Sequence, residues 1–276
     1  MKPFCFSKQH IIPTDQASIH PIDIGLIRGY AIFDFFRVEG YRPLFLEGYL
    51  DRFVASAKSC ALPLDYSRND IRDLVETLIE KNDMEQGGIR MVLSGGISDN
   101  KFSPANGHLY IFCEPLKLPS QLKYENGIQL LSQEYLRPLP EIKTTNYTLP
   151  VWLSLGWANK NAEDVIYHHG GIISESSRSN IFIIKEGEIS TPRANVLRGI
   201  TRKNILKIAE EVQERDISFS ELLDAEEAFI CSTTKRILPV TQIDGQRIGQ
   251  GKPGKITRSL MEKIEQLELQ DRAHAN

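Results

Sequence analysis

Four segments of this sequence carry side chains whose chemistries suit one another. Lys143, in EIKTTNYTLP, offers an amine able to form a covalent adduct with a carbonyl compound. Glu175, in ISESSRSNIF, ends an expected strand ahead of a polar run, and a carboxylate so placed can keep a proton on an aromatic ring nitrogen. LRGITRKNIL puts Gly199 and Thr201 at the start of an amphipathic helix, where unpaired N–H groups and the helix dipole favour a phosphate. AFICSTTKRILPV closes a buried strand with Ser232, Thr233 and Thr234, whose hydroxyls and amides suit an anion. Taken singly, Lys143 reads as a surface lysine, Glu175 as a solvated turn residue, and the glycine and threonine as ordinary helix capping. Their order along one chain is what sets them apart.

The elements that must position these groups follow from periodicity. IRGYAIFDFFRVEG predicts a strand ending at the turn residues Glu39 and Gly40, with PLFL returning as its hairpin partner. Leu50, Phe53, Val54 and Ala57 recur at helical spacing, as do Ile71, Leu74, Val75, Leu78 and Ile79, predicting two amphipathic helices. IRMVLSGG and HLYIFCEPL predict two further strands. The second half opens with the strand IQLLSQEYL and a helix after Pro150. It continues as the meander DVIYHHGGIISESSRSNIFIIKEGEIS, then helices from about Ile200 and Ser220, the strand AFICST and a hairpin at Ile243–Gly245. The expected architecture is two domains of α+β and α/β character. They are a small N-terminal domain over 1–115, a linker over 116–126, and a larger C-terminal domain over 127–276 carrying Lys143.

With 276 residues, 41% of them hydrophobic and 25% charged, the chain can bury a core without staples, and its net charge of -3 favours neither nucleic acid nor an acidic membrane as partner. Cys5, Cys60, Cys113 and Cys231 lack the short spacing of a zinc knuckle or a disulfide framework, which fits a reducing cytoplasm. No apolar run resembles a signal peptide or a membrane span. GQGKPGKI approaches a phosphate-binding loop, but Ile256 stands where Ser or Thr is needed, so a turn is expected. His168 and His169 are consecutive in a strand, point to opposite faces, and make a shared metal a poor reading.

The series IKTTNYTLP, GGIISESSRSNIFIIKEGEISTP, LRGITR, EEAFICSTTKRILPVTQIDG and GQGKPGKITRSL resembles the signature of the fold-type IV PLP-dependent enzymes, which include D-amino-acid aminotransferases, branched-chain aminotransferases and aminodeoxychorismate lyases. DIGLIRGYAIFDFFRV and FLEGYLDRFVASA resemble the same family's opening strand and first helix, so the likeness spans about 20–265. The resemblance implies pyridoxal 5'-phosphate (PLP) as cofactor, Lys143 as its Schiff-base lysine and Glu175 as partner of the pyridine nitrogen. It implies a phosphate site of Arg52, the N–H groups of Ile200 and Thr201, and the hydroxyls of Thr201 and Thr233. Asn180 and Tyr147 match positions close to the ring, Tyr147 near its phenolic oxygen. A homodimer is implied as well, with active sites near the subunit interface.

Several residues depart from that pattern. Arg28 stands where the family has an aromatic residue, and Arg90 interrupts the apolar strand GIRMVLSGG; the loop SGGISDNKF lacks the arginine with which D-amino-acid aminotransferases hold the α-carboxylate. A guanidinium fork matches a carboxylate, so Arg28 and Arg90 are the expected substrate grip, with Phe33 and Thr234 beside them. Phe35 replaces a glycine of the branched-chain enzymes and narrows the room for a branched side chain. Arg178 is an added cation in the SESSRSN turn, a candidate for the cofactor site or an exposed residue. Arg198 replaces a proline, and Tyr49 replaces a histidine in what reads as a packing change. The implied activity is transfer of an amino group from a D-amino acid to a 2-oxo acid such as 2-oxoglutarate. An L-branched-chain aminotransferase, an aminodeoxychorismate lyase and a non-catalytic small-molecule binder are the rivals.

Overall fold

Alternation in AIFDFFRVE sends Ile32, Asp34, Phe36 and Val38 to one side of a strand and Phe33 and Phe35 to the other. In the computed structural model, which describes residues 1–274, the first set is buried and the second half-buried. This strand belongs to the first of two units, formed by Met1–Lys117, Ile142–Asn146 and the chain from Leu269 onward. Its elements are β1 (Phe4–Ser7), β2 (His10–Pro13), α1 (Ile24–Ile27), β3 (Ala31–Glu39), β4 (Arg42–Pro43), α2 (Leu46–Ser59), α3 (Arg68–Lys81), β5 (Gln86–Ser94) and β6 (Leu109–Glu114). The strands form one sheet in the order β2-β1-β6-β5-β3-β4.

Leu50, Phe53 and Ala57 of α2 and Ile71, Val75 and Leu78 of α3 form a core with Ile32, Phe36, Ile89, Met91, Leu93, Ile111 and Cys113 of the sheet. Each such side chain taken from water stabilises the unit by roughly 1.5–3 kcal/mol. A capping box between Ser67 and Asp70 starts α3. The expected strand PLFL is corrected. Pairing stops at Pro43, Phe45 adopts a left-handed backbone with φ 53°, and Leu46 begins α2. Leu44 and Leu46 are both buried, so the apolar run anchors a helix start rather than continuing a strand.

The second unit contains Leu118–Glu141 and Tyr147–Glu268. Its elements are α4 (Gln121–Asn126), β7 (Ile128–Glu134), α5 (Thr148–Ser154), β8 (Asp164–His169), β9 (Ile172–Ser176), β10 (Asn180–Lys185), β11 (Glu188–Pro192), α6 (Ile200–Ile208), β12 (Val212–Arg215), α7 (Phe219–Leu223), β13 (Glu227–Ser232), β14 (Arg236–Ile243), β15 (Gln246–Arg247) and α8 (Lys255–His274), whose last turns belong to the first unit. The sheet runs β12-β11-β10-β13-β14-β7-β8-β9, with β15 against β14, and it curls so that β9 also touches β10. Its central strands are apolar on both faces because both are covered. Ile181, Ile183, Ala228, Ile230, Leu238 and Val240 face a core with Leu222 of α7, while Phe182, Ile184, Phe229 and Ile237 face Ile205 of α6 and Leu260 and Ile264 of α8.

The domain boundary expected at 127 places Lys143 in the C-terminal half. The structure instead groups Ile142–Asn146 with the first unit, because this segment pairs with β3: Ile32 bridges Thr144, and the Phe33 N–H donates to the Lys143 carbonyl at 2.9 Å. The expected linker also contains the helix α4. All four cysteines are buried, and burial pushes the Cys113 thiol up to about 11. Among the described residues, no helix is long and apolar enough to cross a membrane.

Candidate active site

In the first unit Lys143, Phe33 and Arg90 gather on the half-buried face of the sheet. Backbone pairing with β3 fixes Lys143, and its Nζ lies 4.5 Å from the centre of the Phe33 ring. The Arg90 guanidinium lies 5.3 Å from the same ring and 5.0 Å from that of Phe35, while its Nε and Nη2 reach Glu114 Oε1 at 2.8 and 2.7 Å. Cross-strand pairing explains this cluster, since Phe35 is opposite Arg90 on β5, which is in turn opposite Phe112 on β6. The Phe35 ring lies against Gly88, where a Cβ would come within 2.1 Å of it. Arg28 follows α1, is exposed, and among the described residues forms no ion pair.

Arg52 projects from α2 toward the other face, where it makes a two-pronged ion pair with Asp34: Nε to Oδ2 at 2.9 Å and Nη2 to Oδ1 at 2.7 Å. Its guanidinium also lies 5.3 Å from the Tyr49 ring, and Tyr49 packs on Phe36. Asp34 was not singled out in the sequence. Its sign was a lone acid among strand-forming apolar residues, which has to find a cation.

In the second unit, Glu175 is 5% exposed and its carboxylate is held at both oxygens. Oε1 accepts from Arg137 Nε at 2.8 Å and Oε2 from the Leu197 N–H at 2.9 Å. The Leu197 carbonyl in turn accepts from Asn180 Nδ2 at 2.8 Å, so one residue's backbone links the acid to β10 and to the loop entering α6. Gly199 ends that loop; a Cβ there would come within 2.2 Å of Asn180 Oδ1. Among the described residues no side chain caps α6, which leaves the first N–H groups, those of Ile200 and Thr201, open to an anion. The helix packs on β13, whose end carries Ser232 and the half-buried Thr233 and Thr234. Tyr147 precedes α5 and is half-buried; Arg178 is exposed on its turn, and Arg198, also exposed, lies 3.7 Å from Glu141.

Three further groups, the half-buried Arg137 and the buried Lys235 and Tyr167, escaped the sequence reading. Arg137 orients Glu175. Lys235, 4% exposed, places Nζ 2.6 Å from Asp164 Oδ2 and 3.3 Å from Ser179 Oγ. Tyr167, 1% exposed, has a hydroxyl without a hydrogen-bond partner among the described residues. Nothing in a single sequence distinguishes that lysine from a solvated one.

The class IV amino-transferase family model matches residues 31–243. The chain belongs to the class IV aminotransferases. This aminotransferase is 29% identical over 271 residues to a D-alanine aminotransferase of Staphylococcus epidermidis, covering 94% of its own length and 96% of the relative. It is 31% identical over 266 residues to a Methanocaldococcus jannaschii protein provisionally named a branched-chain-amino-acid aminotransferase, with 91% and 92% covered. Its fold matches that of a branched-chain amino acid aminotransferase from T.th., solved with pyridoxamine 5'-phosphate, at a TM-score of 0.90 and 20% identity, over 97% and 94% of the two chains.

As a fold-type IV aminotransferase it uses pyridoxal 5'-phosphate. The residues present fit that cofactor. A buried, doubly held carboxylate suits a pyridinium, an uncapped helix start and the partnerless Ser232 Oγ suit a phosphate, and Lys143 offers the amine.

Proposed function

We propose that this aminotransferase moves the amino group of a D-amino acid to a 2-oxo acid such as 2-oxoglutarate, working as a cytoplasmic homodimer with active sites near the subunit interface. The observation that carries the reading is the pairing of Lys143 and Arg90 around one ring: an amine and a carboxylate-binding guanidinium both border Phe33. An α-amino acid carries its amine-bearing carbon next to its carboxylate, and an amine and a guanidinium are the two kinds of group that would engage them.

When bound, PLP supplies the electron sink for bond breaking at the α-carbon. Lys143 is the group that would hold the cofactor and then, as a free amine, move the α-proton. Glu175 would keep the ring nitrogen protonated, and Arg137 and Leu197 hold its oxygens in place for that task. Arg52, Ile200, Thr201, Thr233 and Arg178 would take the phosphate, Asn180 and Tyr147 the ring, and Arg28, Arg90, Phe33 and Thr234 the substrate. Phe35, lying on Gly88 beneath Arg90, takes space that a branched side chain would need.

The two donor classes are separated by adding D-alanine, then L-leucine, to the PLP-loaded protein. Loss of the visible cofactor band on D-alanine alone is the expected result. Loss on L-leucine alone would move the assignment to the L-branched-chain reading, which the Methanocaldococcus jannaschii relative favours.

Arg90→Ala should raise the KM for D-alanine about 10- to 100-fold, the size of one charge-assisted hydrogen bond pair, and leave PLP retention unchanged. The Arg90–Glu114 pair is about one-third exposed, so losing it should cost the fold little. Donor kinetics within twofold of wild type would remove Arg90 from the substrate site.

A further inference from the structure

Tyr167 stands out among the buried side chains that no role above uses. It lies near the end of β8, where pairing with β9 runs from Ile166 opposite Ser176 to His168 opposite Ile173, with an irregularity between. That irregularity sets Tyr167 beside the stretch containing Glu175, and the Ser174 hydroxyl donates to the Tyr167 carbonyl at 3.4 Å. The ring of Tyr135 meets it edge-on at 5.1 Å and fixes its plane. The hydroxyl is buried and meets no donor or acceptor among the described residues. A phenol in that state gives up a hydrogen bond that water would have supplied, a loss of free energy that a native interior normally avoids.

We propose that the Tyr167 hydroxyl donates a hydrogen bond to bound PLP at the ring edge between the pyridine nitrogen and the phenolic oxygen, with the phenolic oxygen as acceptor. The assignment rests on the roles proposed above for Glu175 and Tyr147, because the titratable and charged groups around this phenol are those two together with Asp164, Tyr135 and the Arg137 that holds Glu175. On the edge between a ring nitrogen and a phenolic oxygen, that oxygen is the acceptor open to a donor. Burial first, then the charges of Asp164, Tyr135, Glu175 and Tyr147, push the phenol well above its ordinary range, so it remains an O–H donor throughout the working pH range. A second donor at the phenolic oxygen draws negative charge away from it. With that donor in place the oxygen would be a weaker base, and the cofactor's visible band would titrate at lower pH than without it.

Tyr167→Phe removes the hydroxyl and keeps the ring, so packing against Tyr135 survives. The expected results are a 3- to 10-fold weaker PLP affinity, about the worth of one hydrogen bond, and a visible absorption band that titrates at higher pH than in wild type. Both are read on the PLP-loaded protein by equilibrium dialysis and a spectral pH titration, without reference to turnover. Glu175→Gln is carried through the same measurements. If Glu175→Gln changes the band and Tyr167→Phe changes neither affinity nor titration, Tyr167 is a packing residue and the proposal fails while the roles of its neighbours stand. If neither substitution has an effect, the placement of the cofactor against this strand pair fails with it.

Discussion

Lys143→Ala should reduce amino-group transfer by about 10^4-fold or more and abolish the visible band given by PLP. On the roles proposed for Lys143, two functions would be lost at once: the covalent hold on the cofactor and the amine that moves the α-proton. The fold should be unaffected, because the segment is tied to β3 through the Lys143 carbonyl and through Thr144 and Thr145, none of which needs the side chain. Unchanged circular dichroism with lost turnover is the expected pair of observations. Turnover within tenfold of wild type would show that another amine serves the reaction. Lys235, buried and in the second unit, would be the first to try, although its ion pair with Asp164 argues against it.

The same Lys235 gives the largest expected effect on stability. Lys235→Met leaves Asp164, with no exposed surface, as an uncompensated buried charge, and loss of one partner of such a pair costs roughly 3–5 kcal/mol. Burial alone would raise the Asp164 carboxyl, but the Lys235 ammonium, with a smaller contribution from Arg178, more than offsets this and holds it below the ordinary carboxylate range. The native group therefore contributes stability above the unfolded pKa of about 4, and that contribution is lost as pH falls through the lower folded value. In the variant, only the smaller pulls of Ser177 and Arg178 still oppose burial, and the carboxyl titrates upward. The deficit should be greatest near neutral pH and shrink as the solution is acidified. Denaturant melts of both proteins at pH 7 and pH 5 would show it. A second substitution, Asp164→Leu, should recover much of the loss, since an apolar pair of similar volume does as well as an ion pair in such a place. An equal deficit at both pH values, unrelieved by Asp164→Leu, would mean that the lysine's carbon chain, not its charge, matters there.

Lys235 also marks where sequence reading stops. Placements that depend on local order were legible: Gly199 and Thr201 at a helix start, and the hydroxyl run 232–234 at a strand end. The apolar runs NIFIIK and AFIC announced strands covered on both faces, and the 3.6-residue repeats of α2 and α3 announced helices packed on one. Illegible were the links between distant residues. Arg137 and Glu175 are 38 positions apart, Lys235 and Asp164 are 71 apart, and the bridge that draws Thr144 to Ile32 spans more than a hundred. Chain position alone gave no sign that the segment around Lys143 pairs with β3. Local pattern also misled at PLFL, where alternation and a helix start both put Leu44 and Leu46 inside, and only the backbone turn at Phe45 separates them. The strands β1 and β2, four residues each, are too short to show a period, and α8 begins straight after a glycine-rich turn.

Leu197 joins the carboxylate of Glu175 to the loop that opens α6, and it does so with its N–H and C=O alone. Such a junction is invisible to selection on side-chain identity. Most residues at position 197 would preserve it, and proline, which has no N–H, is the one that would cut the bond to Glu175. Neighbouring Arg198 is exposed and 3.7 Å from Glu141, and it takes no part in this junction. The geometry of this loop can thus persist through lineages in which its sequence drifts, and a change of residue there carries little information about a change of chemistry.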